Sequence, residues 1–120
     1  MAWKLDDNKP VYLQLIEQIK RKILTGEYKA GDKIPSVRDL AMDAAVNPNT
    51  MQRALQDLER DGLIFAQRTS GRLVTEDKNM ILSLKESFAK ELIEDFIKSL
   101  SELGFSKKEI IAAVSTAVGE

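Results

Sequence analysis

The residues of this chain best suited to recognition chemistry are polar and close together. Asn49, Thr50, Gln52, Arg53 and Gln56 form one group, with Ser36 and Arg38 a short way upstream and Arg68, Ser70, Gly71 and Arg72 downstream. Guanidinium, amide and hydroxyl groups can hydrogen-bond nucleobase edges. Arg suits the paired acceptors of guanine and Gln or Asn the acceptor and donor of adenine, each good bidentate contact giving about 1–3 kcal/mol of discrimination. Bond-breaking chemistry has little to work with. The 120 residues include no histidine and no cysteine, so the common general base, the thiol nucleophile and the usual transition-metal ligands are missing. Glu91, Glu94 and Asp95 read as the charged outer face of a helix, and the glycines spell no phosphate-cradling motif. No catalytic residue, metal site or cofactor is expected.

Local signals place the polar group on a short helix. Asn47 is suited to cap it and Pro48 to open it, since the first helical position needs neither an N–H nor a free φ. Met51, Ala54, Leu55 and Leu58 then recur at helical spacing as a buried stripe, which leaves Asn49, Thr50, Gln52, Arg53 and Gln56 on the opposite face. Gly62 ends the helix. Upstream, Ser36 and Asp39 have the spacing of a reciprocal cap for a helix from Val37 to about Asp43 or Ala44, whose apolar face is Val37, Leu40, Ala41 and Ala44. Two short helices joined by a tight turn are a helix-turn-helix.

Beyond Gly62 the period becomes extended. Leu63, Ile64 and Phe65 run to Gln67, a polar turn follows at Arg68 to Gly71, and Leu73 and Val74 resume, which reads as a β-hairpin. Arg68 and Arg72 flank its tip, and Gly71 lets backbone approach a phosphate closely. An earlier helix opens at Pro10 with Tyr12, Leu15, Ile16, Ile19 and Ile23 on one face and ends near Gly26. On it, Lys20, Arg21 and Lys22 read as a solvated basic run. Trp3 and Leu5 are candidates to dock an extended arm on the core.

After the polar stretch from Glu76 to Asn79, a long helical pattern starts at Met80 and stops at Gly104, about 35 Å at 1.5 Å per residue. Ser106 and Glu109 write a capping box for a last helix carrying Ile110, Ile111, Val114, Ala117 and Val118. Two helices cannot cover so wide an apolar face, so a second copy of the chain is expected to cover the surplus. Ile81, Leu84, Phe88, Leu92, Phe96, Leu100, Ile110 and Val114 are the expected homodimer interface. The fold expected is mostly α with a small hairpin wing: a winged helix-turn-helix over 1–76, with its core at 10–75, followed by a two-helix dimerisation region over 77–120.

Charge limits how such a domain would hold nucleic acid. The net charge is −1, with twelve basic against eleven acidic residues up to Glu76 and six against eight beyond it, so neither part is a basic tail. Affinity for DNA must then come from local placement of Arg38, Arg53, Arg68 and Arg72 and from two copies acting together. Met1-Ala2-Trp3-Lys4 leads straight into charged residues and no apolar run is long enough to span a bilayer, so a cytoplasmic protein without membrane contact is expected. The same polar face could instead bind protein, as an interaction module that keeps the fold and lacks DNA affinity.

Segment 10–75 closely resembles the GntR-type winged-helix DNA-binding domain of bacterial transcription regulators. The resemblance lies in Ile34-Pro35-Ser36-Val37-Arg38-Asp39-Leu40-Ala41, in Asn47-Pro48-Asn49-Thr50-Met51-Gln52-Arg53-Ala54-Leu55, and in Leu58-Glu59 with Asp61-Gly62-Leu63. The short tail is similar to the YtrA-like subgroup, which carries a two-helix dimerisation unit in place of a large effector domain. The resemblance implies a sequence-specific regulator, a repressor more than an activator, on a two-fold symmetric double-stranded operator. It implies DNA contacts from Arg38, Asn49, Thr50 and Gln52, and a wing containing Gly71. Many family members have arginine where this chain has Pro48 and Gln52, so the preferred bases should differ from theirs. No residue identifies a small-molecule effector.

Overall fold

In the computed structural model, which describes residues 3–119, helix α1 (Val11–Leu24) is followed by α2 (Val37–Ala44) and α3 (Pro48–Arg60). Strands β1 (Ile64–Gln67) and β2 (Gly71–Val74) come next, then α4 (Lys78–Glu102) and α5 (Lys107–Val118). The chain divides into two compact units, one ending at Leu84 and one beginning at Lys85.

The first unit is a three-helix body with a hairpin. Leu15, Ile19 and Ile23 of α1 meet Leu40, Ala41 and Ala44 of α2 and Met51, Ala54, Leu55 and Leu58 of α3, and Ile34, Leu63, Ile64 and Val74 close the same core. The α2 cap forms as the spacing predicts, with the Asp39 N–H donating to Ser36 Oγ at 3.1 Å. The return bond from the Asp39 carboxylate is absent among the described residues, so half of the reciprocal cap is made. Ala45 turns the chain out of α2 in the left-handed region at φ 57°, which costs a residue with a Cβ about 1–2 kcal/mol. The turn then delivers Asn47, whose Oδ1 accepts from the Asn49 N–H at 2.7 Å and starts α3.

The hairpin is antiparallel, with Ile64 opposite Val74 and Gln67 opposite Gly71. A bridge between Lys33 and Leu73 adds the segment before α2 to its edge. The hairpin is thereby tied to the helical body through backbone bonds from Ile34 N–H to the Arg72 carbonyl, 3.0 Å, and from Val74 N–H to the Asp32 carbonyl, 2.9 Å.

The arm before α1 docks. The Trp3 indole N–H donates to Asp43 at 3.0 Å, and two glutamines one turn apart on α1 clasp the arm's backbone. Gln18 bonds both the N–H and the carbonyl of Lys4, and Gln14 does the same at Asp6. Lys22 departs from the solvated reading of the basic run. Its side chain is 5% exposed, with the ammonium 3.2 Å from the Glu27 carboxylate and 4.3 Å from the centre of the Trp3 ring.

Helix α4 begins two residues earlier than the apolar period suggests. Asp77 caps it, its carboxylate accepting from the N–H groups of Asn79 and Met80 at 3.0 and 3.2 Å. Met80, Ile81 and Leu84 pack against the core of the first unit. In the second unit the Ser106 and Glu109 box is complete in both directions, and Ile110 is buried while Leu92, Ile93, Phe96, Ile97, Leu103, Phe105, Ile111, Val114 and Val118 are exposed. Among the described residues no helix is long and apolar enough to cross a membrane.

Candidate nucleic-acid interface

Two local features orient the polar face of α3. The Asn47 cap fixes where the helix starts, and the fully buried stripe of Met51, Ala54, Leu55 and Leu58 fixes its rotation. Asn49, Arg53 and Gln56 are therefore exposed, and Thr50 and Gln52 half-buried at the edges of the same face. Among the described residues, no side-chain hydrogen bond engages Asn49, Thr50, Gln52 or Gln56. Their donors and acceptors are left to solvent or to a ligand, and the arrangement can offer amide and hydroxyl groups to base edges.

The arginines grouped by the sequence stand in different situations. Arg38, the second residue of α2, is exposed, as is Arg68 in the hairpin turn. Arg53 lies over the Tyr12 ring, its guanidinium carbon 3.6 Å from the ring centre. Arg72 is not a free cation: its Nε donates to Glu59 at 2.6 Å, with both side chains largely covered. The pair ties β2 to the last turn of α3. Glu59 therefore belongs to the description of the wing, although nothing local to Glu59 or Arg72 signals it; the pairing becomes visible only once the hairpin register is known.

Ser36 is exposed, but its hydroxyl oxygen is engaged in capping α2. Ser70 is half-buried in the turn. Gly71 has φ +80°, and a Cβ there would lie 3.4 Å from the Lys33 Cε. The left-handed φ is what glycine takes here without strain, whereas a Cβ would meet Lys33 only at ordinary contact distance. The exposed Lys33, brought alongside the hairpin by its bridge to Leu73, is a cation of the wing that the sequence reading left out. Alternation around the hairpin could have found it had Lys33 been read as a strand residue.

The apolar residues expected at a dimer interface separate into three groups. Ile81 and Leu84 are taken up by the core of the first unit, and Ile110 is buried within the second. Phe88 and Leu100 are half-buried, and Leu92, Phe96 and Val114 are exposed. Phe96, Leu100 and Val114 line an open apolar groove between α4 and α5 that also includes Ile93, Phe105 and Ile111.

Comparison with known proteins fits this geometry. The family model described as bacterial regulatory proteins, gntR family, matches residues 11–74. A Bacillus subtilis protein named HTH-type transcriptional repressor YtrA is 40% identical over 89 residues, which is 73% of this chain and 68% of that protein. A GntR family transcriptional regulator from Listeria monocytogenes superposes with a TM-score of 0.86 at 46% identity, covering 93% of this chain and 98% of its own. The DNA-binding domain of AraR, solved in complex with operator ORX1, superposes with a TM-score of 0.54 at 28% identity over 62% of this chain and 92% of its own.

Proposed function

This chain belongs to the gntR family of bacterial regulatory proteins, DNA-binding transcription regulators and not enzymes, and on that footing we propose that it is a repressor acting in the cytoplasm as a homodimer on a two-fold symmetric operator. In each subunit α3 enters a major groove, Asn49, Thr50, Gln52 and Gln56 meet base edges, and the hairpin lies beside it with Arg68 and Gly71 at the backbone. Arg38 holds a phosphate from α2. The observation that carries the reading is the α3 face itself. Its amides and hydroxyl have no hydrogen-bond partner among the described residues, while the stripe behind them is fully buried. Repression is supported by the name of the YtrA relative, and operator binding by the AraR complex. Dimerisation is supported by the apolar side chains that α4 and α5 leave exposed.

The test is binding to the promoter DNA upstream of the chain's own coding sequence at two salt concentrations, with Arg38→Ala and Gln52→Ala beside the parent. Binding should saturate and fall with salt. Arg38→Ala should weaken it on every sequence and reduce the salt slope by about 1, whereas Gln52→Ala should cost about 1–3 kcal/mol and relax preference at one base step. Equal affinity for promoter and scrambled duplex would reject specific readout and favour a protein-binding module, to which the net charge of −1 is better suited.

A further inference from the structure

Arg53 is held differently from its neighbours. Arg21, Arg60 and Arg72 each meet a carboxylate, those of Glu17, Asp57 and Glu59. Arg53 instead rests on an aromatic face, 3.6 Å from the centre of the Tyr12 ring. The distinction matters for an incoming anion. A carboxylate partner must be displaced before a guanidinium can take a phosphate, whereas a ring beneath the guanidinium plane leaves the N–H donors around its edge available. Stacking also confines a long side chain that would otherwise lose much rotamer freedom on binding.

The Tyr12 contact indicates which part of a duplex the Arg53 guanidinium meets. At 100° per residue, Asn49 and Arg60 lie roughly 10° from the middle of the face opposite the buried stripe, and Gln56 and Arg53 roughly 30° to either side of it. Arg53 stands on the side that adjoins α1, and its rest on the Tyr12 ring draws the guanidinium off the middle toward that flank. In a groove, the middle of a reading helix faces the base edges on the floor and its flanks face the phosphates of the walls.

We propose that Tyr12 is a positioning residue for DNA recognition: its ring holds the Arg53 guanidinium, before any duplex arrives, in the attitude in which it takes a backbone phosphate. The inference rests on the reading that α3 enters the groove, and it adds α1 to the surface that sets affinity.

The test is a double-mutant cycle on the full chain, measuring affinity and salt slope on the promoter duplex and on a scrambled one. Arg53→Ala should weaken both duplexes by the same factor and lower the salt slope by about 1. Tyr12→Leu should weaken both about threefold with the slope unchanged, because the charge still reaches its phosphate but is no longer pre-placed. In the Arg53→Ala background Tyr12→Leu should have no further effect, and Tyr12→Phe, which keeps the ring, should rescue the parental affinity. Arg53→Lys provides the same contrast without altering Tyr12: the slope is kept and affinity falls, since an ammonium lacks the planar stack. A Tyr12→Leu loss that persists in the Arg53→Ala background overturns the positioning role, and an Arg53→Ala loss confined to the promoter duplex overturns the phosphate assignment. Either can occur with parental binding intact. A parent that binds neither duplex defeats the groove reading itself.

Discussion

Lys22 illustrates how a charge can be structural. Its four-carbon stem is covered, its ammonium lies against Trp3 at 4.3 Å and Tyr28 at 5.5 Å, and Glu27 supplies the counter-charge at 3.2 Å. Burial raises the Tyr28 phenol above its ordinary pKa, and the nearby carboxylates of Glu27 and Asp43 push it the same way. Replacing Lys22 removes stem packing and a partly desolvated cation–π contact together, so Lys22→Ala should lower unfolding stability by about 1–2 kcal/mol. Lys20→Ala, on the more open part of the same helix, should stay within about 0.5 kcal/mol. Urea titration followed by the single tryptophan of the chain checks both, and an equal, small effect at the two positions would show that the ammonium contributes nothing where it sits. The sequence shows three adjacent basic residues and no reason to separate them. What separates them is an arm folded back so that Trp3 reaches Asp43, 40 residues away, and contacts at that range leave no local pattern.

Helix ends were legible because their physics is local. Ser36, Asn47 and Ser106 each accept from a backbone N–H two or three residues on, and Pro48 opens α3. The α4 start lies two residues ahead of the apolar period for the complementary reason. Its first turn is polar, so apolar periodicity begins at Met80, whereas the Asp77 cap starts the helix at Lys78. The α5 cap also carries a pH dependence. The Ser106 N–H donates to the Glu109 carboxylate at 2.9 Å, which holds that carboxyl below the ordinary glutamate range, and the bond to the Ser106 side chain adds to the effect. A carboxyl whose folded pKa is depressed stabilises the fold above its unfolded pKa and loses that contribution as pH falls through the folded value. The helicity of the second unit should therefore weaken as pH drops below about 4.5, the unperturbed value. Glu109→Gln should remove that part of the acid response while leaving the α5 amide signals at neutral pH close to the parent's. Amide exchange across 107–110 at neutral and acid pH is the measurement, and an identical acid response in the variant would show that the box does not couple α5 to pH.

A net charge of −1 leaves this protein without the bulk attraction that many DNA-binding domains use. On the proposed reading, one winged-helix unit with a handful of uncommitted cations binds a half-site weakly, and two joined units bind a double site with an affinity raised by effective concentration. The sequence reveals that the tail has more apolar surface than two helices can cover. It cannot say which residues are the surplus, because the same period runs through Ile81 and Leu84, which the first unit claims, and Ile110, which the second unit buries. Phe96, 44% exposed, and Val114, 39% exposed, belong to that surplus, one on each of the two helices that line the groove. A charge at either position would have to be buried unpaired if two copies meet there. Phe96→Glu and Val114→Glu should each sediment as a single chain at micromolar concentration and lose about a hundredfold or more in affinity for a two-half-site duplex. Affinity for a single half-site should be unchanged, because the core of the first unit uses neither residue. If both variants remain dimeric, the interface lies elsewhere; if they become monomeric yet bind the double site as tightly as the parent, the two subunits do not act together on DNA.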